Sequence, residues 1–92
     1  MIICVSLYAG RGDAYMGQTY YMHYLAPNFG MGSEFTKLFT TQEWGWLFQN
    51  SAEGFYDVFG IEKGSFTAEE LMHLEAFMRR YSKDSDEVAT CR

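Results

Sequence analysis

The chain has 92 residues, a net charge of -5, and two Trp, seven Tyr and eight Phe. That length supports one domain with a single hydrophobic core. No stretch is basic enough to attract phosphates, which argues against direct nucleic-acid binding, and no apolar run approaches the length needed to span a bilayer.

Charge is unevenly distributed. Residues 1–33 carry only Arg11 and Asp13, whereas residues 34–70 set Glu34, Glu43, Glu53, Asp57, Glu62, Glu69 and Glu70 against Lys37 and Lys63. The whole net charge lies in that middle segment, which favours a basic partner.

The opening run, Ile2, Ile3, Cys4, Val5 and Leu7, is β-branched and apolar and reads as a strand. It lacks a basic lead and is too short for a secretory core, so the expected location is cytoplasmic. Gly10-Arg11-Gly12-Asp13 then reads as a turn. Thr19 to Leu25 reads as a second strand pairing with the first in an antiparallel hairpin. Both of its faces are rich in rings: Tyr20, Met22 and Tyr24 on one, Tyr21, His23 and Leu25 on the other. Residues 26–33, with Pro27, Gly30 and Gly32, read as a loop.

The second half is predicted helical. Thr40-Thr41-Gln42-Glu43 fits a capping box, with Phe39 and Trp44 positioned as a hydrophobic staple. Trp44, Leu47 and Phe48 share one face, and Trp46 projects off it. Ser51 is placed to cap a turn carrying Phe55, Val58 and Phe59, which Gly60 terminates. Thr67-Ala68-Glu69-Glu70 forms a second capping box, stapled by Phe66 and Leu71. It opens a helix whose Leu71, Leu74, Phe77, Met78 and Tyr81 recur at helical spacing, with Arg79, Arg80 and Lys83 at its negative end. The expected architecture is α+β: a small N-terminal antiparallel sheet packed against two or three C-terminal helices. One domain spans 1–83, followed by a polar, fraying tail over 84–92.

Chemical motifs are sparse. Arg11-Gly12-Asp13 matches an adhesive tripeptide but is explained by turn chemistry. Gly10, Gly12 and Gly17 lack the helix start and the lysine that a phosphate cradle requires. Residues 64–71 resemble the second half of a calcium-binding EF-hand loop, but the early ligand positions fall on Phe59, Ile61 and Lys63, and capping explains Glu70. Cys4, His23 and His73 have no paired ligand spacing, and Cys4 lies in an apolar run that disfavours its thiolate. Cys4 and Cys91 read as free thiols. No cofactor, metal or catalytic residue is expected.

What remains is partner binding. The expected contact residues are Tyr20, Met22 and Tyr24 on the ring-rich strand, with Glu43, Trp46, Glu53, Tyr56 and Asp57 in the acidic, aromatic middle. The profile, short, acidic and aromatic-rich without a catalytic constellation, resembles that of small virus-encoded inhibitors of host defence, such as anti-CRISPR and anti-restriction proteins. The resemblance is one of composition. It implies stoichiometric occlusion of a basic, nucleic-acid-binding surface on a larger protein in the host cytoplasm. Two alternatives stand beside it. One is an oligomeric small-molecule binder or small enzyme, with a pocket between the sheets of two subunits lined by Tyr20, Met22 and Tyr24. The other is a self-associating structural module such as a homodimer.

Overall fold

A computed structural model describes residues 12–85, and these contain helices and turns and no strand. The α+β expectation is therefore corrected: where the second strand was expected, the chain is helical. The expected first strand, Cys4, Cys91 and residues 86–92 lie outside the described residues.

Helix α1 (Ala14–Tyr20) starts at Asp13, whose side chain accepts the Tyr15 N–H at 2.9 Å. Asp13 is thus an N-cap, the role its short carboxylate suits best. The helical path continues through a π-helical turn (Tyr21–Leu25) into α2 (Ala26–Phe29). In the wide turn the Ala26 N–H donates to the Tyr21 carbonyl. Pro27 accounts for the widening, since it has no N–H to give and its ring would press on the carbonyl four residues back. The residues expected to form a loop over 26–33 instead build α2 and the start of α3 (Gly32–Phe35), which runs into a 3-10 turn (Thr36–Leu38).

Helix α4 (Thr41–Leu47) begins with the expected capping box on Thr40 and Glu43, and α6 (Ala68–Arg80) with the one on Thr67 and Glu70. The Phe39 ring closes edge-on against Trp44 at 5.1 Å, as the staple requires. Between them lies α5 (Gln49–Phe59), ended by Gly60 at φ 67.

Ser51 does not cap α5. Asn50, Ser51 and Ala52 all have positive φ, at 55, 60 and 63, where an N-cap would be extended. Three consecutive left-handed residues, none of them glycine, kink the chain near the start of α5, and the right-handed part of the helix follows Ala52. Each L-residue there costs about 1–2 kcal/mol.

The core is one cluster of rings and aliphatics. Tyr21, Trp44, Phe55, Leu74, Phe77 and Met78 are fully buried. Rings meet across elements: Phe35 and Phe59 at 4.8 Å, Tyr21 and Phe35 at 5.0 Å, Phe48 and Phe55 at 4.8 Å. The indole N–H of Trp44 donates to the Thr36 carbonyl at 2.9 Å, so its one polar atom is satisfied inside. Tyr21 donates to the Gly30 carbonyl at 2.6 Å, and burial, with the Glu34 charge adding to it, pushes its hydroxyl up to about 12.

α1 lies directly on α6. A β-carbon on Gly17 would land on the carbonyl of His73 and within 2.6 Å of the Phe77 β-carbon, and one on Gly12 would land on the Met72 carbonyl. Alanine normally adds up to about 1 kcal/mol over glycine inside a helix. Gly17→Ala should do the opposite, lowering stability by about 1–3 kcal/mol through forced separation of the helices. Urea denaturation measures it, and an unchanged or raised midpoint would show that the contact has slack.

The left-handed turn yields a second sign reversal. Ser51 is exposed and loses no packing on truncation. Ser51→Gly should raise stability by about 1 kcal/mol by removing the steric cost of its conformation. A right-handed helical residue would instead be destabilised by a similar amount, so the direction of the change reads the backbone directly.

Candidate functional site

The expected contact residues divide into three groups. Met22, Tyr24 and Trp46 are open to solvent, at 57%, 46% and 56% exposure. Met22 and Tyr24 project from the π-helical turn. Trp46 stands on α4 away from the buried Trp44 and Phe48, as expected from its helical position. Tyr20 is partly buried against the core and stacks on Tyr24 with centroids 6.2 Å apart.

Glu43 and Tyr56 are committed to the fold. The Glu43 carboxylate accepts the Thr40 N–H at 2.9 Å as half of the capping box. Tyr56 is buried, and its hydroxyl accepts the Phe66 N–H at 3.2 Å. The capping box expected at Thr40 and Glu43 thus occupies the carboxylate also expected to meet a partner. Glu53 and Asp57, one turn apart on α5, are exposed and share Lys63, at 3.6 and 3.4 Å. Two carboxylates around one ammonium leave that corner net negative.

The rings connect these groups. From Tyr20 and Tyr24 the contacts continue to Phe66, edge-on to Tyr24 at 5.8 Å, and on to Tyr56, parallel to Phe66 at 6.3 Å. His23 meets Tyr24 edge-on at 5.1 Å. A chain of ring contacts thus runs from the exposed Tyr24 on the π turn to the buried Tyr56 on α5. Beside Phe66 and Tyr56 opens a groove of about 590 Å³ between α5, the 60–67 loop and α6. Its lining includes Phe48, Phe66, Leu71 and Met72, together with Asn50 and Ser51 of the strained turn. The groove was missed at the sequence level because it depends on a left-handed turn that no local signal announced. The pocket expected between two sheets has no counterpart among the described residues, which contain no sheet.

His73 is structural. It is buried, and its Nδ1 accepts the Asp13 N–H at 2.8 Å, pinning the start of α1 to α6. Its Nε2 lies 3.7 Å from the Glu69 carboxylate, which suits the Nε2–H tautomer. Gly12 is buried and Asp13 caps the helix, so two of the three residues of the adhesive tripeptide serve the fold. Among the described residues no three His, Cys, Asp or Glu side chains converge on a metal position, and no helix is long and apolar enough to cross a membrane.

A second polar cluster closes the C-terminal end of α6. Thr41 Oγ1 and Ser82 Oγ are hydrogen-bonded at 2.6 Å, and both lie within reach of the Asp84 carboxylate, at 2.9 and 2.7 Å, so that one hydroxyl donates to its neighbour and the other to Asp84. The Thr41 N–H also donates to Asp84 at 2.9 Å, and the Lys83 N–H reaches the Phe39 carbonyl at 2.9 Å. Asp84 itself is thus tied to α4, while residues 86–92 of the expected fraying tail lie outside the described residues. The cluster resembles a hydroxyl–carboxylate relay only in composition: Ser82 is fully buried, and the hydroxyls serve to join α4 to the end of α6.

No protein-family model, no curated protein and no solved structure matches the chain.

The hydrogen bonds from Ser82, then those from Thr41, lower the Asp84 carboxyl from 3.8 to about 2. A carboxyl depressed by folding adds stability above its unfolded value and loses it as pH falls toward its folded value. Wild type should therefore hold a constant advantage over Asp84→Asn above about pH 4 and lose it between about pH 4 and 2. Denaturant titrations of both proteins across that range check it. A difference independent of pH would mean that the carboxylate's charge plays no part.

Proposed function

We propose that this protein is a small acidic binding module, a stoichiometric inhibitor that covers a basic, nucleic-acid-binding surface of a larger protein. The observation that carries the reading is the solvent-facing position of Met22, Tyr24 and Trp46, while rings such as Tyr21, Trp44 and Phe55 are fully buried. Large apolar side chains held in water are a recurring feature of interaction surfaces, and tyrosine and tryptophan are favoured as interface anchors. The net negative corner of Glu53, Asp57 and Lys63 supports a basic counterpart. Opposite charge across an interface steers encounter and selects the partner. The compositional resemblance to virus-encoded defence inhibitors agrees with this class of partner.

Against a partner recovered by affinity capture with the wild-type protein, Tyr24→Ala or Trp46→Ala should lose more than about 1 kcal/mol of binding. The melting temperature should be nearly unchanged, because an exposed ring has little packing to lose. Glu53→Lys with Asp57→Lys should weaken binding and flatten its salt dependence. Glu43 is unsuitable for charge reversal, since its carboxylate caps α4. Wild-type affinity in all of these variants, or binding indifferent to salt, would refute the proposal.

A further inference from the structure

The groove between α5, the 60–67 loop and α6 has a composition that specifies more than a generic basic partner. We infer that it receives an arginine side chain from that partner. The inference rests on the binding reading above and adds the chemistry of the inserted residue.

Three features point the same way. The apolar lining from Leu71 and Met72 suits the methylene stem of a long cationic side chain, which covers apolar surface while its head stays polar. The half-buried Phe66 also lines the space, backed by the buried Phe48 and Tyr56, and aromatic faces attract cations, arginine more often than lysine. Carboxylates enter from two different helices, Glu53 from α5 and Glu75 from α6.

Charge complementarity then selects the occupant. Among the described residues that line the groove Lys63 is the one cation, and it is already divided between Glu53 and Asp57, at 3.6 and 3.4 Å. Glu75 pairs with Arg79 at 3.1 Å, one turn along the same helix. Exposed pairs of this kind are weak, so an incoming guanidinium can compete for the carboxylate. An anionic occupant would meet Glu53 and Glu75. A neutral apolar occupant would cover those carboxylates without replacing their hydration. A planar guanidinium can stack on a ring and fork onto a carboxylate at the same time, which the compact ammonium of lysine cannot. The groove's volume of about 590 Å³ also leaves room for the residues flanking the arginine.

The test is an amide-resolved NMR titration of the full 92-residue chain with N-acetyl-arginine amide, and separately with N-acetyl-citrulline amide, its uncharged isostere. Saturable shifts are expected at Asn50, Ser51 and Gly64, with citrulline binding at least about tenfold more weakly. Glu53→Gln combined with Glu75→Gln should erase the preference. Glu53→Gln alone, on a side chain already exposed, should reduce it and serves if the double variant does not fold. Equal binding of the two probes, shifts confined to residues outside the groove, no saturable response, or an unaltered preference in the folded variants would overturn the inference. The two proposals fail separately. Loss of partner binding in the Tyr24 and Trp46 variants without any arginine response rejects only the groove. An arginine response in a protein that binds no basic partner rejects the proposed function instead.

Discussion

The contact between α1 and α6 governs the arrangement of everything else. It is a backbone-to-backbone approach, possible because Gly17 leaves the His73 carbonyl and the Phe77 β-carbon unobstructed. His73 then secures the start of α1 by accepting the Asp13 N–H, while the Asp13 side chain satisfies the Tyr15 N–H. A glycine notch supplies no binding energy of its own. It lets the flanking side chains of α6, Leu74, Phe77 and Met78, reach full burial, and that burial supplies the dominant stabilisation. With α1 fixed, the π turn must present Tyr21 and Leu25 inward and Met22, His23 and Tyr24 outward.

Much of the aromatic excess is thereby accounted for. The rings of Tyr21, Phe35, Trp44, Phe48, Phe55, Phe59 and Phe77 form a connected interior network, with polar atoms of Tyr21 and Trp44 satisfied by backbone carbonyls. Helices shorter than about a dozen residues are marginal alone, and several elements here are far shorter. Large rings compensate by burying much area per residue. What bears on the proposed binding is therefore the exposed apolar side chains, Met22, Tyr24 and Trp46 among them, rather than aromatic content as a whole.

Which features were legible follows from the range of the interactions behind them. Both capping boxes and the inward face of α6 were readable, because each depends on residues three or four apart. The position of Trp46 was readable for the same reason. The segment from Thr19 to Leu25 was misread because its tyrosines carry strand preference, while the features that make it helical lie elsewhere. Asp13 looked like a turn residue, Gly17 like a loop, and the glycine's partner is 56 residues away in His73, so no local pattern could reveal the notch. Rings on both faces of that segment suggest a two-sided sheet. They are the inner and outer sides of a helix with a widened turn. For the candidate site, Met22, Tyr24, Glu53 and Asp57 were found as exposed residues, whereas Glu43 and Tyr56 turned out to have internal partners.

The left-handed turn at Asn50–Ala52 shows how tertiary packing decides where strain is tolerated. α4 ends at Leu47, and the change of course falls within the first residues of α5, at Asn50–Ala52, with no separate loop. A right-handed continuation would extend α4 into one long helix and carry Phe55 and Phe59 away from Trp44 and Phe35. The kink instead brings a β-carbon position on Gly54 within 3.2 Å of the Leu47 side chain, leaves Ala52 and Phe55 fully buried and stacks Phe55 on Phe48. Three left-handed residues cost several kcal/mol together, a sum that burial of two or three large side chains can offset. The strained residues then fall where two of them, Asn50 and Ser51, face the groove. The conformation that gathers the core thus also forms one end of the cavity beside Tyr56 and Phe66, which links the packing of α5 directly to the surface proposed for binding.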